Sequence, residues 1–443
     1  MLKKLILLFF ALSQPLFAES PPDLAQQGIT QVTLDNGLKI IVKTDSRAPV
    51  FISQLWYQVG ASDESRPATG ISHMLEHMMF KGTNNYGAGE FSKIIARNGG
   101  DDNAFTSKDY TAYYQKMHKS KLELALKMEA DRMRNLRLIN KEFEKERQVV
   151  IEERRLRIED NPNAKVIESL NLISFDKKGA YHAPIIGFQA DIESYRLRDL
   201  RDWYKQYYTP NNATLVVVGD VQADAVIALA KKYFGVYKYN PDIVKSYKPA
   251  ITHTGQSRVL KLKAELPFYS LSFSVPSLKT TKDKHNAYAL DMLSYILDNG
   301  LSKTLVREQQ IASSISVSYR LYDKYNTLFT LSFIPAKGID NETVLSAIKA
   351  QITELIKNPV IIKDELARTK TQLEAEFVFE QDRLSTQSYY LGMLATVGLG
   401  IETMFSYVDK MNAISTHDVA QVAKQYLDFS QANSVELIPQ GVK

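Results

Sequence analysis

A short apolar helix that carries two histidines and a glutamate constrains this chain more than any other feature. Residues 70–83 read GISHMLEHMMFKGT, which places His73 and His77 four positions apart with Glu76 between them. An α-helix turns once every 3.6 residues, so all three side chains lie on one face. Apolar residues occupy the other faces, and buried imidazole and carboxylate groups need polar or ionic partners. The spacing therefore predicts a polar site on a core helix.

A divalent metal ion would satisfy these three groups together. Two imidazoles one helical turn apart can share a zinc ion through ring nitrogens, and one coordination position remains for water. A neighbouring carboxylate can take a proton from that water, because the metal lowers the pKa of the water toward neutrality. The order H-x-x-E-H is the inverzincin signature. With only 7 histidines in 443 residues, a chance match is rare, so we predict one zinc ion per chain at His73 and His77.

The third protein ligand is expected on a charged helix further along the chain. Residues 141–160 are highly charged and end before Asn161-Pro162, a pattern that is by itself typical of a solvated helix face. Glu146 and Glu153 are seven residues apart, which is two turns on one face, whereas Glu152 points about 100° away. The residues alone leave all three glutamates open as the third ligand.

Composition excludes several classes of site and partner. The chain has no cysteine, which rules out disulfides, thiolate metal sites and a cysteine nucleophile. The net charge of +5 is spread along the chain, so it indicates no nucleic-acid partner. The hydrophobic content of 44% is that of an ordinary globular protein with enough apolar material for a core.

The first residues are typical of a secretory signal peptide. Lys3 and Lys4 precede a short apolar run at 5–12, and the small residue Ala18 offers a cleavage point. The apolar run is too short to span a bilayer. We therefore expect residues 1–18 to be removed and the rest to be exported, in bacteria to the periplasm, with no transmembrane segment.

Strand and helix signals divide the remaining chain into two parts. Residues 29–42 alternate in polarity around Asn36-Gly37, which predicts a hairpin with a tight turn. A polar, proline-containing segment at 240–256 reads as a boundary. The pattern predicts an α+β fold of two homologous α/β domains, 28–239 and 257–440. Each domain is expected to pack a mixed, largely antiparallel sheet against helices.

A weak internal repeat supports this division. Residues 291–300 match residues 73–82 at a Met-Leu pair and at the closing glycine. At the three positions of the histidines and the glutamate, the second copy has other residues: Asp291, Ser294 and Tyr295. The repeat predicts two copies of one module, with the metal chemistry kept only in the first copy.

These features resemble the pitrilysin or insulinase family of zinc peptidases. The chain is most similar to the two-domain branch, which includes mitochondrial processing peptidase and its bacterial relatives. The resemblance covers nearly all of the chain after the signal peptide. Its landmarks are Asn36-Gly37-Leu38, residues 73–83, residues 99–114 with Asn103 to Ser107, residues 146–153, residues 184–187 and residues 210–219.

The resemblance implies a role for each residue of the site. It selects Glu153 as the third zinc ligand, Glu146 as a supporting catalytic residue and Glu76 as the general base. Three further residues are implied to lie on an edge strand that pairs with substrate backbone: Asn103, Ala104 and Phe105. Adding an extended peptide to a sheet edge is a recurring mode of recognition. The implied activity is zinc-dependent endopeptidase cleavage of peptides or unfolded segments, inside a four-domain clamshell of which this chain supplies half.

One part of the family pattern is incomplete here. Members that carry the whole site in one subunit have an arginine and a tyrosine in the second half, which bind substrate and stabilise the oxyanion. Arg307 fits the first position, but Ser314 occupies the second, and Tyr319 lies close without being in place. Because the reaction needs an oxyanion donor, we expect a dimer, either with a second copy of this chain or with a metal-less paralogue.

Two alternatives share the same fold. One is a metal-binding subunit that is active only with a paralogous partner, and the other is a non-catalytic peptide-binding protein. The intact set of two histidines and two glutamates argues against a subunit that has lost its chemistry. Closed structural zinc sites use four protein ligands, and no fourth ligand stands out in the sequence.

Overall fold

The computed structural model describes residues 24–243, here the first half, and residues 252–441, here the second half. The predicted signal peptide, residues 1–18, lies outside the described residues, as does part of the predicted boundary at 240–256. Each half contains one β-sheet with helices packed against it. The predicted α+β fold class is therefore confirmed.

The first half is built on a six-stranded sheet. Its strands are β1 (Ile29–Thr33), β2 (Lys39–Thr44), β3 (Val50–Tyr57), β4 (Asp101–Thr106), β5 (Thr111–His118) and β6 (Ala213–Gly219). Their order across the sheet is β1-β2-β6-β3-β5-β4. The pair β2 and β6 is parallel, and every other neighbouring pair is antiparallel. The strand β4 therefore lies at one edge.

The predicted hairpin at the start of the first half is confirmed. Strands β1 and β2 pair antiparallel from Ile29 opposite Lys43 to Thr33 opposite Lys39. Gly37 has a φ of 85°, a left-handed conformation that favours glycine. The side chain of Asn36 anchors the turn, because its amide nitrogen donates to two carbonyl oxygens near the end of a later helix.

The described residues of the first half contain eight helices. They are α1 (Ile71–Met78), α2 (Glu90–Arg97), α3 (Leu122–Asn135), α4 (Asn140–Arg154), α5 (Pro162–Ser174), α6 (Gln189–Ser194), α7 (Leu197–Tyr207) and α8 (Ala223–Phe234). The motif helix α1 follows β3 and packs against α4 and β4. Its apolar residues Met74, Leu75 and Met78 are fully buried in the main core of this half.

The second half has a five-stranded sheet with six helices in its described part. The strands are β7 (Ser257–Lys263), β8 (Phe268–Val275), β9 (Ala312–Ser318), β10 (Thr327–Pro335) and β11 (Asn433–Gln440). The helices are α9 (Lys284–Leu301), α10 (Asn341–Lys357), α11 (Lys363–Gln381), α12 (Leu384–Val397), α13 (Glu402–Asn412) and α14 (Thr416–Tyr426). The strand order is β7-β11-β8-β10-β9.

The two sheets have the same topology. The order β7-β11-β8-β10-β9 corresponds to β2-β6-β3-β5-β4, and in both sheets only the first pair of this series is parallel. Helix α9 follows β8 as α1 follows β3, and α9 packs against α11 as α1 packs against α4. The repeat inferred from residues 291–300 thus has a structural counterpart.

Each half also contributes one helix to the sheet of the other half. Helix α5 packs on the second sheet, where Val166 and Leu170 join Val435 and Leu437 in one buried cluster. Helix α12 packs on the first sheet, where its leucines join the residues of β3 and β6. Gly392 of α12 lies so close to the first sheet that an added Cβ would meet the indole of Trp56 at 2.1 Å. Two of the buried apolar clusters therefore contain residues of both halves.

No single helix in ranges 24–243 and 252–441 is long and apolar enough to cross a membrane. Helices α12 and α13 reach that length and hydropathy only as a pair, and the pair is bent by 98°.

Candidate metal centre

The start of α1 is fixed by close contact between two glycines. Gly70, with a φ of 84°, precedes the helix, and an added Cβ there would lie 2.3 Å from the carbonyl oxygen of Ile186. Gly187 is equally restricted, since its Cβ would lie 2.3 Å from the carbonyl oxygen of Thr69. Only glycine allows these two backbone segments to approach so closely. The contact sets the position of the helix that carries the histidines.

A buried carboxylate satisfies the first amides of α1. Glu64 accepts hydrogen bonds from the backbone N–H groups of Gly70 at 2.6 Å and Ser72 at 2.8 Å. These N–H groups have no partner within the helix, so an acceptor from outside stabilises its N-terminus. Burial raises the pKa of Glu64 to about 7, although the two backbone hydrogen bonds favour the ionised form.

We expect Glu64→Gln to flatten the pH dependence of stability. The folded chain holds the Glu64 proton up to a pKa of about 7, whereas the unfolded chain releases it near 4.5. The folded state therefore binds more protons in this window, and the free energy of unfolding falls by about 2 to 3 kcal/mol as the pH rises through it.

Urea unfolding of the metal-free protein at pH 5 and pH 8 measures this difference. Glu193→Gln is the control, because Glu193 is exposed and bonds only Gln189 nearby. An unchanged slope in Glu64→Gln relative to the wild-type chain would show that the Glu64 proton is not linked to folding.

A buried arginine holds α4 beside α1. The guanidinium of Arg154 donates to the carbonyl oxygen of Gly187 at 2.8 Å and forms ion pairs with Glu168 and Glu159. Gly187 in turn contacts Gly70 at the start of α1. Because Arg154 follows Glu153 directly, this network fixes the part of α4 that faces the motif helix.

Glu153 is the glutamate that α4 brings to both histidines. Its Oε1 lies 3.7 Å from His73 Nε2, and its Oε2 lies 3.3 Å from His77 Nε2. The ligand atoms of these three residues all lie within 4.8 Å of one another, and no other such group occurs in the described parts of the chain. Glu152 is exposed and pairs with Arg155 instead. Of the three glutamates that the sequence left open, Glu153 is the one placed to complete a metal site.

Burial and charge set opposite protonation preferences for the two histidines. Burial, reinforced by the charge of His77, lowers the pKa of His73 to about 4. Burial also opposes protonation of His77, but its hydrogen bond and charge interaction with Glu153 outweigh this effect and raise the pKa of His77. The hydrogen bond from His77 in turn lowers the pKa of Glu153. The site thus stabilises a positive charge between the histidines and Glu153.

These residues fit a divalent metal ion. They offer two imidazole nitrogens and one carboxylate oxygen, which is the ligand set of catalytic zinc sites with one open position. The Nδ1 atom of His73 is buried and has no hydrogen-bond partner among the described residues, so no acceptor in this part of the chain holds the ring in another orientation. A divalent cation would replace the positive charge that the site already favours on His77.

Glu146 contacts the ring nitrogen of His77 that Glu153 does not contact. Its Oε2 is 3.3 Å from His77 Nδ1, and its Oε1 accepts an ion pair from Lys81 at 2.6 Å. Metal-binding histidines commonly donate their second ring nitrogen to a carboxylate, which fixes the orientation of the ring. The geometry therefore places Glu146 where it can orient the His77 ring.

We expect Glu146→Gln to lower zinc affinity and peptide hydrolysis by about 10- to 100-fold, as loss of such outer partners does. Competition with a chelator measures the affinity, and a quenched fluorescent peptide measures hydrolysis. Glu144→Gln is the matched control, since Glu144 lies on the same helix, is exposed and pairs only with Arg147. Equal zinc affinity in the Glu146 variant and the control would contradict the positioning role.

Glu76 lies on the same face of α1 and contacts the edge strand. Its Oε2 accepts a short hydrogen bond from the hydroxyl of Thr106 at the end of β4. Burial raises the pKa of Glu76, and the Thr106 hydrogen bond opposes that rise. A carboxylate with a raised pKa beside a metal site is suited to accept and return a proton.

The candidate site opens into a cavity of about 970 Å³ beside the free edge of the first sheet. Strand β4 pairs only with β5 within the described residues, so its other edge is unpaired. Ala104 and Thr106 face α1, whereas Phe105 points to the opposite side and packs on Trp56 with ring centroids 5.3 Å apart. The predicted placement of Asn103, Ala104 and Phe105 on an edge strand agrees with the structure.

The structure does not bring the second-half residues to this cavity. Arg307 is exposed and lies near Glu308 and Asp364 in a separate depression. Ser314 lies on β9, an edge strand of the second sheet. The hydroxyl of Tyr319 donates to the carbonyl oxygen of Pro276 at 2.7 Å. Within one chain, none of the three contributes to the metal-site cavity.

Sequence reasoning missed several residues that support the site. Lys81 and Arg157 each lie four positions after a site residue, His77 and Glu153, and such spacing places side chains together on a helix. The sequence alone could therefore have indicated Lys81 and Arg157 as neighbours of the site. The contacts of Thr106 and of Glu64 depend on how a strand and a loop meet α1, and no local pattern indicates them.

Two family sequence profiles cover most of the described chain. Residues 39–185 match the profile described as insulinase (peptidase family M16), and residues 194–373 match one described as the peptidase M16 inactive domain. The zinc protease PqqE of Helicobacter pylori is 34% identical over 424 residues, which is 92% of each chain. The chain belongs to the insulinase family, peptidase family M16. The resemblance inferred from the motif residues is thereby confirmed. The profile described as inactive covers the end of the first half and most of the second half.

Solved structures show the same fold. A protease from Helicobacter pylori superimposes with a TM-score of 0.86 at 29% identity and covers 93% of this chain and 99% of its own. The periplasmic protease PqqL of Escherichia coli shares the fold at 18% identity with a TM-score of 0.76. That match covers 94% of this chain but 48% of PqqL. This insulinase-family chain thus has the architecture of one half of a longer relative.

Proposed function

We propose that the chain is a zinc-dependent endopeptidase that cleaves peptides or unfolded segments. The observation that carries the proposal is the meeting of His73, His77 and Glu153 in one group, in a cavity that an unpaired strand edge borders. A metal site, an adjacent carboxylate and a strand edge for backbone recognition are the three parts that peptide hydrolysis of this kind needs.

In this mechanism the chain holds the metal and moves one proton. When bound, zinc would supply Lewis-acid activation of water and of the scissile carbonyl. The carboxylate of Glu76 takes a proton from the attacking water and later gives it to the leaving amine. The Thr106 hydroxyl holds Glu76 toward β4, and Glu146 holds His77 through Nδ1.

The substrate lies along β4 as an added strand. Backbone N–H and C=O groups on the unpaired side of β4 would pair with an extended peptide, which favours unfolded chains over folded ones. The side chains of Ala104 and Thr106 alternate with that of Phe105 across the sheet. All four residues from Asn103 to Thr106 line the cavity. The unpaired backbone of β4 would pair with any extended peptide, so β4 recognises backbone more than side chains.

We also propose that a second subunit completes the site. Arg307 lies on a different surface of the same chain, and no second-half residue lines the metal-site cavity within the described residues. Such a donor would therefore come from another molecule. A dimer that covers the cavity would supply it and form a closed chamber. The partner is a second copy of this chain or a metal-less paralogue. Light scattering together with a hydrolysis assay of the purified chain distinguishes the two partners. A chain that is active as a homodimer needs no paralogue.

Metal removal tests the proposed function. We expect dialysis against a chelator to abolish hydrolysis of a quenched fluorescent peptide, and one equivalent of zinc to restore it. His77→Ala should bind no stoichiometric zinc and stay inactive, because two ligands of three remain. Hydrolysis that survives complete zinc removal would overturn the proposal. A homodimer that binds one zinc per chain yet cleaves nothing would favour the paralogue-dependent alternative.

We further propose that residues 1–18 direct export to the periplasm. Their basic start, apolar run and small residue at Ala18 support this reading. N-terminal sequencing of the protein from a periplasmic extract should begin at Glu19, and an intact N-terminus in the cytoplasmic fraction would contradict it.

A further inference from the structure

A second cavity, of about 300 Å³, lies where the second half meets the first. Helices α9, α11, α12 and α13 and the turn after β9 surround it. Six tyrosines of the second half line it: Tyr295, Tyr319, Tyr322, Tyr389, Tyr390 and Tyr407. Five carboxylates also line it: Asp109, Asp291, Asp323, Glu376 and Glu380. The proposed peptidase mechanism uses none of these residues.

This cavity occupies the position in the second module that the metal site occupies in the first. The helix pair α9 and α11 corresponds to the pair α1 and α4. Asp291 and Tyr295 stand where the repeat has His73 and His77. Carboxylates from α11 face this pair from the opposite side, as α4 presents its glutamates to α1. Within the described residues, the second module thus has a cavity at this position but no group of metal ligands.

Three of the five carboxylates lack a cationic partner within the described residues, whereas Asp323 pairs with Arg320 and Asp109 accepts hydrogen bonds from Ser62 and Tyr181. Asp291 is 7% exposed, and its Oδ2 accepts one hydrogen bond, from the Tyr407 hydroxyl at 2.8 Å. Within the described residues, Asp291, Glu376 and Glu380 form no ion pair with any lysine, arginine or histidine. Burial of Asp291 without a counter-charge raises its pKa to about 7. The only arginine in the lining, Arg320, is already paired with Asp323 at 2.8 Å.

The arrangement fits an organic cation better than a metal ion. Asp291, Glu376 and Glu380 do not bring three ligand atoms within 4.8 Å of one another, as the residues of the metal centre do. The volume of about 300 Å³ is at the lower end of pockets that take small organic ligands. Tyrosine faces attract ammonium and guanidinium groups, and the attraction grows when the cation is desolvated.

We propose that this cavity binds an organic cation, an alkylammonium or guanidinium group on a short apolar stem, between the Asp291 carboxylate and the surrounding tyrosine rings. Glu376 and Glu380 attract the cation from the more exposed side of the cavity. The same head group occurs in free amines and in the basic side chains of a peptide. The site is separate from the metal centre, and its occupancy does not depend on peptide hydrolysis.

Calorimetric titration of the full chain, loaded with one equivalent of zinc, tests this proposal. The probe is Nα-acetyl-lysine methylamide, and the neutral comparison is Nα-acetyl-norleucine methylamide, which lacks the ammonium group. We expect saturable binding of the lysine derivative only. Asp291→Asn should weaken it at least tenfold, because the charged acceptor is lost, and Glu376→Gln about threefold, because Glu376 is more exposed.

Glu374→Gln is the matched control on the same helix. Glu374 is exposed, bonds Asn412 and does not line the cavity, so this variant should bind the probe as the wild-type chain does. Equal affinity for butylammonium and for the lysine derivative would assign the site to free amines, and preference for the derivative would assign it to basic side chains. Equal binding of the neutral analogue, or unchanged binding in both Asp291→Asn and Glu376→Gln, would overturn the proposal.

Discussion

Glu76→Gln is expected to lower peptide hydrolysis by about a thousandfold while the zinc content stays at one ion per chain. The amide has nearly the same shape as the carboxylate, and it can keep the hydrogen bond with Thr106 through its oxygen. It cannot accept a proton from water. The ligands His73, His77 and Glu153 are untouched, so metal binding and catalysis are separated in this variant.

The measurement combines the hydrolysis rate of a quenched peptide with metal analysis of the same sample. Glu152→Gln is the control, because it makes the same chemical change next to a ligand, at an exposed residue paired with Arg155. We expect the control to keep the wild-type rate. If Glu76→Gln kept that rate with zinc bound, Glu76 would not be the base. Loss of zinc from the variant would instead make Glu76 part of the metal site.

The second large effect is expected on stability, at a buried ion pair in the core of the first half. Arg132 and Glu129 on α3 are both fully buried and lie 2.5 Å apart. The guanidinium also stacks over Phe91, 4.2 Å from the ring centroid, and Gln115 of β5 donates to Glu129. Glu129→Gln would leave the Arg132 charge without a counter-charge, at a cost of about 3 to 5 kcal/mol in the free energy of unfolding.

Urea unfolding of the metal-free protein measures this loss, and a double variant controls for it. Replacing the pair together, as Glu129→Leu with Arg132→Met, removes both charges and keeps most of the volume. Such replacements are often close to neutral, so the double variant should be more stable than the single one. If the single variant lost less than about 1 kcal/mol, the pair would not be a major term in the stability of this core.

The elements that the sequence predicted well are those with a strong local signal. The hairpin around Asn36-Gly37 carries a strong local turn signal, because its loop needs a residue with a positive φ and Gly37 supplies it. The motif helix has histidines at a spacing that only a helix brings together. Such features depend on neighbours within a few residues, so the printed sequence contains the information needed to place them.

The choice among the glutamates of α4 could not be made from local patterns. It depends on the tilt and depth at which α4 packs against α1, which Arg154 and the contact between Gly70 and Gly187 set from distant parts of the chain. The resemblance to the insulinase family supplied the choice of Glu153. Local patterns also could not indicate the roles of Glu64 and Thr106, whose hydrogen-bond partners lie 6 and 30 residues away in the chain.

The packing of α5 and α12, each on the sheet of the other half, makes the two halves depend on each other for burial. Without α12, the outer face of the first sheet around Trp56 would be exposed to water, although every ligand of the metal centre would still be present. The second half, which carries none of the three metal-site residues, is therefore needed to cover the first sheet. Removing either half would expose an apolar face of the other, so we expect neither half to be stable alone.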